Sequence, residues 1–344
     1  MSVRDRPLDL MSQEKRIPSP KVSVIIPAYN AASFLRRTIL SALEQTAPPY
    51  EVIVVDDGSK DETSQIAGEF KGRVRWLSKV NGGPASARNY GVRVAEGDWI
   101  AFLDADDQWL PDKLEKQHEL ILDTGADMVS SDAILVRGPL FGMTWLHSTG
   151  IWARLEPFLG RNILPKPFEM LLTIGCFLLP SMVLVRKKSL MEAGLFDECM
   201  HGTEDIDLWL RLSLTCRIAV HPAALVRRQI HADNLSQNAP RMVAEQIKVW
   251  EKLKCHQNVT ANPGWTKLVQ KRAAEDYWHQ GYWMLREHKL KEARRAWWKS
   301  LCASFSFRVA AHWLLTYFSD AIVYKIRDTL KFIRSTRSRM SNRE

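Results

Sequence analysis

The chain has 344 residues, 46% of them hydrophobic and 25% charged. These globular values exclude a wholly disordered or fibrous protein, and the length favours one large domain with a sizeable appendage. Its net charge of +9 is uneven, since residues 1–240 hold 27 Lys and Arg against 30 Asp and Glu, whereas residues 241–344 hold 21 against 9.

Residues 1–20, MSVRDRPLDLMSQEKRIPSP, are polar and proline-bearing and read as a flexible leader rather than a signal peptide. The five cysteines, Cys176, Cys199, Cys216, Cys255 and Cys302, contain no C-x-x-C pair. Reduced thiols and a cytoplasmic location are therefore expected, with neither a disulfide framework nor a zinc site.

From residue 21 short β-rich runs alternate with helical patterns: VSVIIP, AASFLRRTILSALEQ, EVIVVDD, DETSQIAGEF, VRWLS, PASARNYGVRVAEG and WIAFLD. The alternation predicts an α/β fold, a Rossmann-like, mostly parallel sheet flanked by helices. Ser59 and Glu62 have capping-box spacing, Pro111 fits the first turn of a helix, and Gly97 fits the close of another. From about 131 to 200 the pattern blurs, and long loops are expected around a strand SMVLVR. The apolar stretch 168–185 carries Glu169, Gly175 and Pro180 and reads as a helix, a turn and a buried strand rather than a membrane span. TEDIDLWLRLSL has helical spacing, and after ALVRRQIH only helical periodicity remains. The expected division is 1–20 leader, 21–240 α/β domain and 241–344 basic, aromatic-rich helical region.

Acidic residues cluster where strands are expected to end. WIAFLDADDQWL puts Asp104, Asp106 and Asp107 directly after an apolar run, and DDGS puts Asp56 and Asp57 after another. In open α/β sheets that edge binds ligands, and carboxylates crowded there repel one another unless a cation neutralises them. The competing reading is a capped turn in each case. No G-x-G-x-x-G follows any strand, so a mononucleotide held partly by a metal ion fits better than a dinucleotide. Tyr29 in PAYN offers a face on which a base can stack, and Arg88 offers a fork of donors for a diphosphate, although packing and surface roles compete. Glu204 and Asp205 open a helix, where they serve either to cap it or to take a proton from a hydroxyl. His231 either completes a hard-metal site or is structural.

Taken in order, VSVIIPAYN, VVDDGSKDET, NGGPASARNYG, GDWIAFLDADD and HGTEDIDLWLRL resemble the inverting family 2 glycosyltransferases of GT-A fold, over about residues 20–232. The resemblance implies that Pro27 and Tyr29 border the base, Asp56 or Asp57 reads it, and Arg88 lies near the base or diphosphate. It implies that Asp104 and Asp106 form the D-x-D element, the latter on Mn²⁺ or Mg²⁺, and that His231 matches a histidine some members place on the metal or phosphates. Asp205 matches the general base. The implied partners are a nucleotide-sugar donor, expected to be a UDP-sugar, and a glycan or lipid-linked acceptor in surface polysaccharide or glycolipid synthesis. A nucleotidyltransferase and a non-catalytic nucleotide- or carbohydrate-binding scaffold are the alternatives. The first would need a basic phosphate loop early in the chain, and the second would lack one of the acids.

The tail departs from the pattern. YWHQGYWMLREHKLKEARRAWWKSLCAS resembles one helix-turn-helix unit of tetratricopeptide type, with Gly281, Ala293 and Ala296 as close-packing positions. Beyond it, aromatic and aliphatic residues interleave, Trp313, Tyr317, Phe318 and Tyr324 among them, before a basic end. Peripheral contact with the inner face of the cell membrane is expected there, against the alternative of a packed helical appendage. Nucleic acid is not an expected partner, because no recognition motif accompanies the charge.

Overall fold

The computed structural model describes residues 20–136, 140–160, 162–230 and 239–317. Strands β1 (Val22–Ala28), β2 (Glu51–Asp56), β3 (Arg75–Ser78) and β4 (Trp99–Phe102) alternate with helices α1 (Ala32–Leu43), α2 (Thr63–Gly68) and α3 (Gly83–Val94). After these come β5 (Gln108–Trp109), α4 (Lys113–Thr124), β6 (Met128–Leu135), β7 (Leu184–Arg186) and β8 (Ile218–Arg228). One eight-stranded sheet results, in the order β3-β2-β1-β4-β7-β6-β8-β5.

The first four strands are mutually parallel, whereas β7 runs antiparallel to both β4 and β6, and β6 is parallel to β8. The C-terminal ends of β1, β2, β4, β6 and β8 therefore share one edge. Helices cover both faces, which is why Val24, Ile25 and Ile26 in β1, like Ile53, Val54 and Val55 in β2, are all fully buried. Pro27 sits near the end of β1 at no expense to the ladder. Ile25 and Pro27 face the same neighbour, β4, and β4 ends opposite Ile25.

Several local expectations change. Ser59 and Glu62 do not form a capping box: Ser59 Oγ accepts from Asn30 N at 2.9 Å, and α2 starts beside Asp61, whose carboxylate accepts from Thr63 N at 3.1 Å. Pro111 lies before the N-cap of α4, Asp112, and its carbonyl accepts from Thr46 N at 2.8 Å. Gly97 does not close α3, which is capped by Ala95. A Cβ at Gly97 would lie 2.6 Å from Lys21 O and 2.7 Å from Ser23 Oγ, so close backbone approach at the start of β4 demands glycine there.

The segment 131–200 is more ordered than expected. It contains the end of β6, then α5 (Trp145–Ser148), α6 (Trp152–Leu155), α7 (Pro167–Ile174), β7 and α8 (Lys187–Glu192). Strand β6 escapes sequence reading because Ser130, Ser131 and Asp132 are polar yet buried. The stretch 168–185 is a helix, a 3₁₀ turn at Pro180–Met182 and the strand β7, so SMVLVR begins in the turn.

Helix α9 (Glu204–Ser213) precedes β8, and the C-terminal part is helical: α10 (Ala239–Lys254), α11 (Gln257–Thr260), α12 (Pro263–Arg286), α13 (Leu290–Ala303) and α14 (Phe307–Leu315). Trp250, Val259 and Ala273 share a core with Ile25 and Phe102 of the sheet. Trp265 seals the contact by packing its ring, tilted by 57°, 5.0 Å from that of Phe168 and by donating to Glu169 at 3.1 Å. In contrast, α13 and α14 form a small cluster of their own around Trp297 and Val309. Gly281 is a close-packing position, since a Cβ there would lie 2.6 Å from Trp297 Cδ1. Ala293 and Ala296 are buried. Among the described residues no helix is long and apolar enough to cross a membrane.

Candidate active site

The shared strand edge gathers the acidic motifs. After β1 the chain turns at Asn30, whose φ of 48° is left-handed, a conformation asparagine tolerates. Asn30 Oδ1 accepts from Lys60 N at 2.9 Å, and the N–H groups that open α1 are satisfied from the next loop. Ala31 N donates to Thr63 Oγ1 at 2.8 Å and Ala32 N to Asp61 Oδ2 at 3.1 Å. The β1 and β2 loops are thus latched into one unit, with Tyr29 50% exposed at its mouth.

Asp56 and Asp57 are both buried. Asp56 Oδ1 accepts from Ser59 N at 2.9 Å, which shapes the turn. The Asp57 carboxylate accepts from Lys79 Nζ at 2.7 Å, Gly82 N at 3.0 Å and Gly83 N at 2.7 Å. It therefore sits on the positive end of α3. Gly82 N is shared between the two oxygens, lying 3.2 Å from Oδ2, so each oxygen of Asp57 faces two donors, and the roughly four acceptor positions of a carboxylate are in use.

The acidic turn after β4 is pinned by residues that sequence reading missed. Ser181 Oγ accepts from Asp104 N at 3.0 Å and donates to Asp107 Oδ2 at 2.6 Å. Gln229 N donates to Asp107 Oδ1 at 3.0 Å. The Thr38 hydroxyl lies 2.8 Å from the carbonyls of both Ala105 and Asp107. Burial, and after it the charges of Asp106 and Asp104, push the Asp107 carboxyl well above the usual carboxylate range. Asp104 and Asp106 themselves are half-buried at the edge of the turn.

Arg88 joins the acidic turn to helix α9. It is 5% exposed, and its guanidinium donates to Asp104 Oδ1 at 2.7 Å and to Glu204 Oε1 at 3.0 Å. The ring of Phe196 lies beneath it, 5.4 Å from the guanidinium carbon. Burial alone would lower its pKa, but Asp104 and Glu204 outweigh that and raise it. Glu204 Oε2 accepts from Gly202 N at 2.8 Å, so this acid positions the loop before α9 as well as Arg88.

Asp205, next in the chain, accepts from Ile206 N at 2.8 Å. Its carboxyl is pushed up to about 7, first by burial and then by the charge of Glu204, while Arg88 opposes the shift. Cys176 belongs to the same surroundings, its thiol pushed up to about 12 by burial and by the charge of Asp205. Two residues along α9, buried Asp207 accepts from Arg211 at 2.6 Å and from Lys252 at 3.0 Å, tying the site helix to α10.

The structure thus brings Pro27, Tyr29, Asp56, Asp57, Arg88, Asp104, Asp106 and Asp205 to one edge, while His231 lies outside the described residues. Among the described residues no group of three or more His, Cys, Asp or Glu side chains is arranged to hold a metal ion. Ser181, Gln229 and Glu204 are the polar supports missed or underrated in sequence. Ser181 follows a proline in an apolar run, Gln229 acts through its backbone N–H, and Glu204 carries only its place beside Asp205 as a signal.

Residues 23–192 match the family model described as glycosyl transferase family 2. An uncharacterized glycosyltransferase of Rickettsia prowazekii is 33% identical over 239 residues, covering 69% of this chain and 72% of that protein. Among solved structures, S. aureus TarS 1-349 in complex with UDP-GlcNAc superposes with a TM-score of 0.64 at 20% identity, covering 88% of each chain. The mannosyltransferase PcManGT of Pyrobaculum calidifontis, in complex with GDP-Man and Mn²⁺, superposes with a TM-score of 0.55 at 18% identity, covering 92% of this chain and 84% of that one. Both likenesses concern the fold.

Proposed function

The chain belongs to glycosyltransferase family 2, and from that membership we propose that it moves a sugar from a UDP-sugar donor to an acceptor hydroxyl, with inversion at the anomeric carbon. The observation that carries this reading is the Asp104–Arg88–Glu204 bridge, which sets the acidic turn beside Asp205. A donor diphosphate on one side of that bridge and a base on the other is the pairing that a single displacement needs.

Asp205 is the general base. Held near 7, its carboxyl is basic enough to take the acceptor proton as the hydroxyl attacks, yet ionised in part at neutral pH. One carboxylate suffices for a displacement from the face opposite the leaving group, and no covalent sugar intermediate forms. Asp104 and Asp106, with His231, would hold Mn²⁺ or Mg²⁺, which when bound supplies positive charge opposite the leaving diphosphate. Hard oxygen ligands suit these ions, and Asp104, Asp106 and Asp107 put three carboxyl groups on one turn. An ion such as Mg²⁺ takes as few as one or two carboxylates from the protein, so Asp104 and Asp106 would suffice as the anionic ligands.

Pro27 and exposed Tyr29 border the base, Asp56 or Asp57 accepts from it, and Arg88 positions the two acidic elements in addition to the ligand role its motif implies. The UDP-GlcNAc and GDP-Man·Mn²⁺ complexes of the structural neighbours support a nucleotide-sugar donor and a divalent ion. The chemistry resides in 21–240, with the acceptor a glycan or lipid-linked sugar in surface polysaccharide or glycolipid synthesis, reached at the inner face of the cell membrane.

The test is hydrolysis of a panel of nucleotide sugars with Mn²⁺ and with EDTA, followed by NMR of the released sugar. Metal-dependent cleavage of a UDP-sugar with inverted configuration is expected. Retained configuration, or nucleotide binding with no cleavage of any donor or transfer to any glycan offered, would overturn the reading.

A further inference from the structure

Helices α13 and α14 carry an apolar surface that the glycosyltransferase chemistry does not use. Their inner faces meet at Trp297 and Val309, which are buried. Their outer faces repeat at helical spacing: Trp298 and Cys302 on α13, then Phe305 in the connection, and Phe307, Ala311 and Leu314 on α14, all exposed. Trp298, Phe305, Phe307, Leu314 and Tyr317 are each more than half exposed, at 53%, 66%, 84%, 56% and 59%. Between the stripes lies a groove of 330 Å³ with Leu301, Ala310 and Trp313 in its lining. The aromatic rings run on without a break, Trp298 to Trp313 at 5.2 Å and Trp313 to Tyr317 at 5.1 Å. Of the residues expected from sequence to face a membrane, Trp313 lines the groove and Tyr317 is exposed, while Phe318 and Tyr324 lie outside the described residues; Trp298, Phe305 and Leu314 join the groove lining, and Phe307 is exposed beside it.

The charge around this surface is of one sign. Residues 289–317 contain six Lys and Arg, and Glu292 is their single carboxylate, although residues 1–240 are net negative. Arg295, Lys299 and Arg308 are exposed on the same two helices. Apolar patches of this kind on a soluble surface mark binding sites. Exposed aromatic residues interleaved with guanidinium and ammonium groups match a headgroup interface, where rings enter the acyl boundary and cations meet anionic phosphates.

We propose that the groove and aromatic rim between α13 and α14 are a docking surface for an anionic lipid bilayer, on which the protein lies without spanning it. The cations draw the surface to the headgroups, and Phe305, Phe307 and Leu314 enter the boundary beneath them. The proposal goes beyond the donor chemistry and does not depend on it.

The experiment is co-sedimentation of the full chain with vesicles of phosphatidylcholine alone and of phosphatidylcholine with 30% phosphatidylglycerol, at low and high salt. Three proteins are compared: the native sequence, Phe307→Ser with Leu314→Ser, and Arg295→Glu with Lys299→Glu and Arg308→Glu. Each is also checked by thermal melt, sedimentation velocity and donor hydrolysis. The native chain is expected to bind the anionic vesicles, and each variant to lose at least tenfold in partition while retaining its fold and its hydrolysis rate. Because the same proteins report donor hydrolysis, failure at the membrane is distinguishable from failure of the proposed reaction. Equal, negligible binding by all three overturns the proposal. So does a native self-association that the serine variant dissolves without any effect on lipid binding, or a preference of the basic face for duplex nucleic acid over vesicles.

Discussion

Arg88 Nη2 lies 2.7 Å from Asp104 Oδ1, and through its other terminal nitrogen the same buried guanidinium reaches Glu204 at 3.0 Å. Glu204, which precedes Asp205, is thus clamped to Asp104 in the acidic turn through a guanidinium 116 positions before it in sequence. Removing one partner from such a buried arrangement strands the others. Arg88→Met is therefore expected to destabilise the protein by about 3–5 kcal/mol. Adding Glu204→Gln to Arg88→Met removes one stranded charge and should recover part of that loss. Thermal or urea melts of the two single variants and the double variant check it, and strict additivity would show that the bridge carries no coupling.

Asp106→Asn is expected to weaken metal and donor binding together, because a site for a hard cation depends on carboxylate charge. UDP titration with and without Mn²⁺ is the measurement. An unchanged metal dependence would return the acidic turn to a helix-preceding structural role.

Asp205 sets the expected pH dependence. A base must be unprotonated to act, so with its carboxyl held at about 7 in the free protein, kcat/KM should fall as pH drops below that value and level off above it. Asp205→Asn is expected to leave UDP binding near normal and lower transfer by on the order of a hundredfold or more. Its residual rate should lose the acid limb. A variant that keeps the limb assigns the titration to another group.

Gly281→Ala tests the packing of α12 on α13. A Cβ there would lie 2.6 Å from Trp297 Cδ1 and 2.8 Å from Cε2, and Trp297 is itself buried, so one helix must shift. Overpacking of this kind costs about 1–3 kcal/mol. The melting temperature is expected to fall while donor hydrolysis at 20 °C is retained, since α13 packs away from the sheet edge. A neutral substitution would mean that the two helices separate easily.

Much of the sheet was legible in the residues because strands buried on both faces must be continuously apolar, as Val22–Ala28 and Glu51–Asp56 nearly are. The motifs at their ends were legible for a related reason: wherever such a run stops in acids, the acids fall on one edge of a parallel sheet. Strand β6 was not legible, because Ser130, Ser131 and Asp132 are polar at buried positions, and their burial depends on neighbours distant in sequence. Local capping was misread for the same cause. Spacing favoured Ser59 with Glu62, but the hydroxyl goes to Asn30 N, 29 residues away, and Thr63 and Asp61 serve the start of α1.

By itself the sequence determined the fold class, the edge where the acids gather and the two-part distribution of charge, since periodicity and composition are properties of the chain alone. Tertiary structure decided which groups meet: that Arg88 bridges Asp104 and Glu204, that Ser181 and Gln229 hold the acidic turn, and that Trp313 and Leu314 line one groove while Phe307 is left exposed. Hydrogen bonds and burial act between atoms brought together only by folding, so no spacing along the chain encodes their partners.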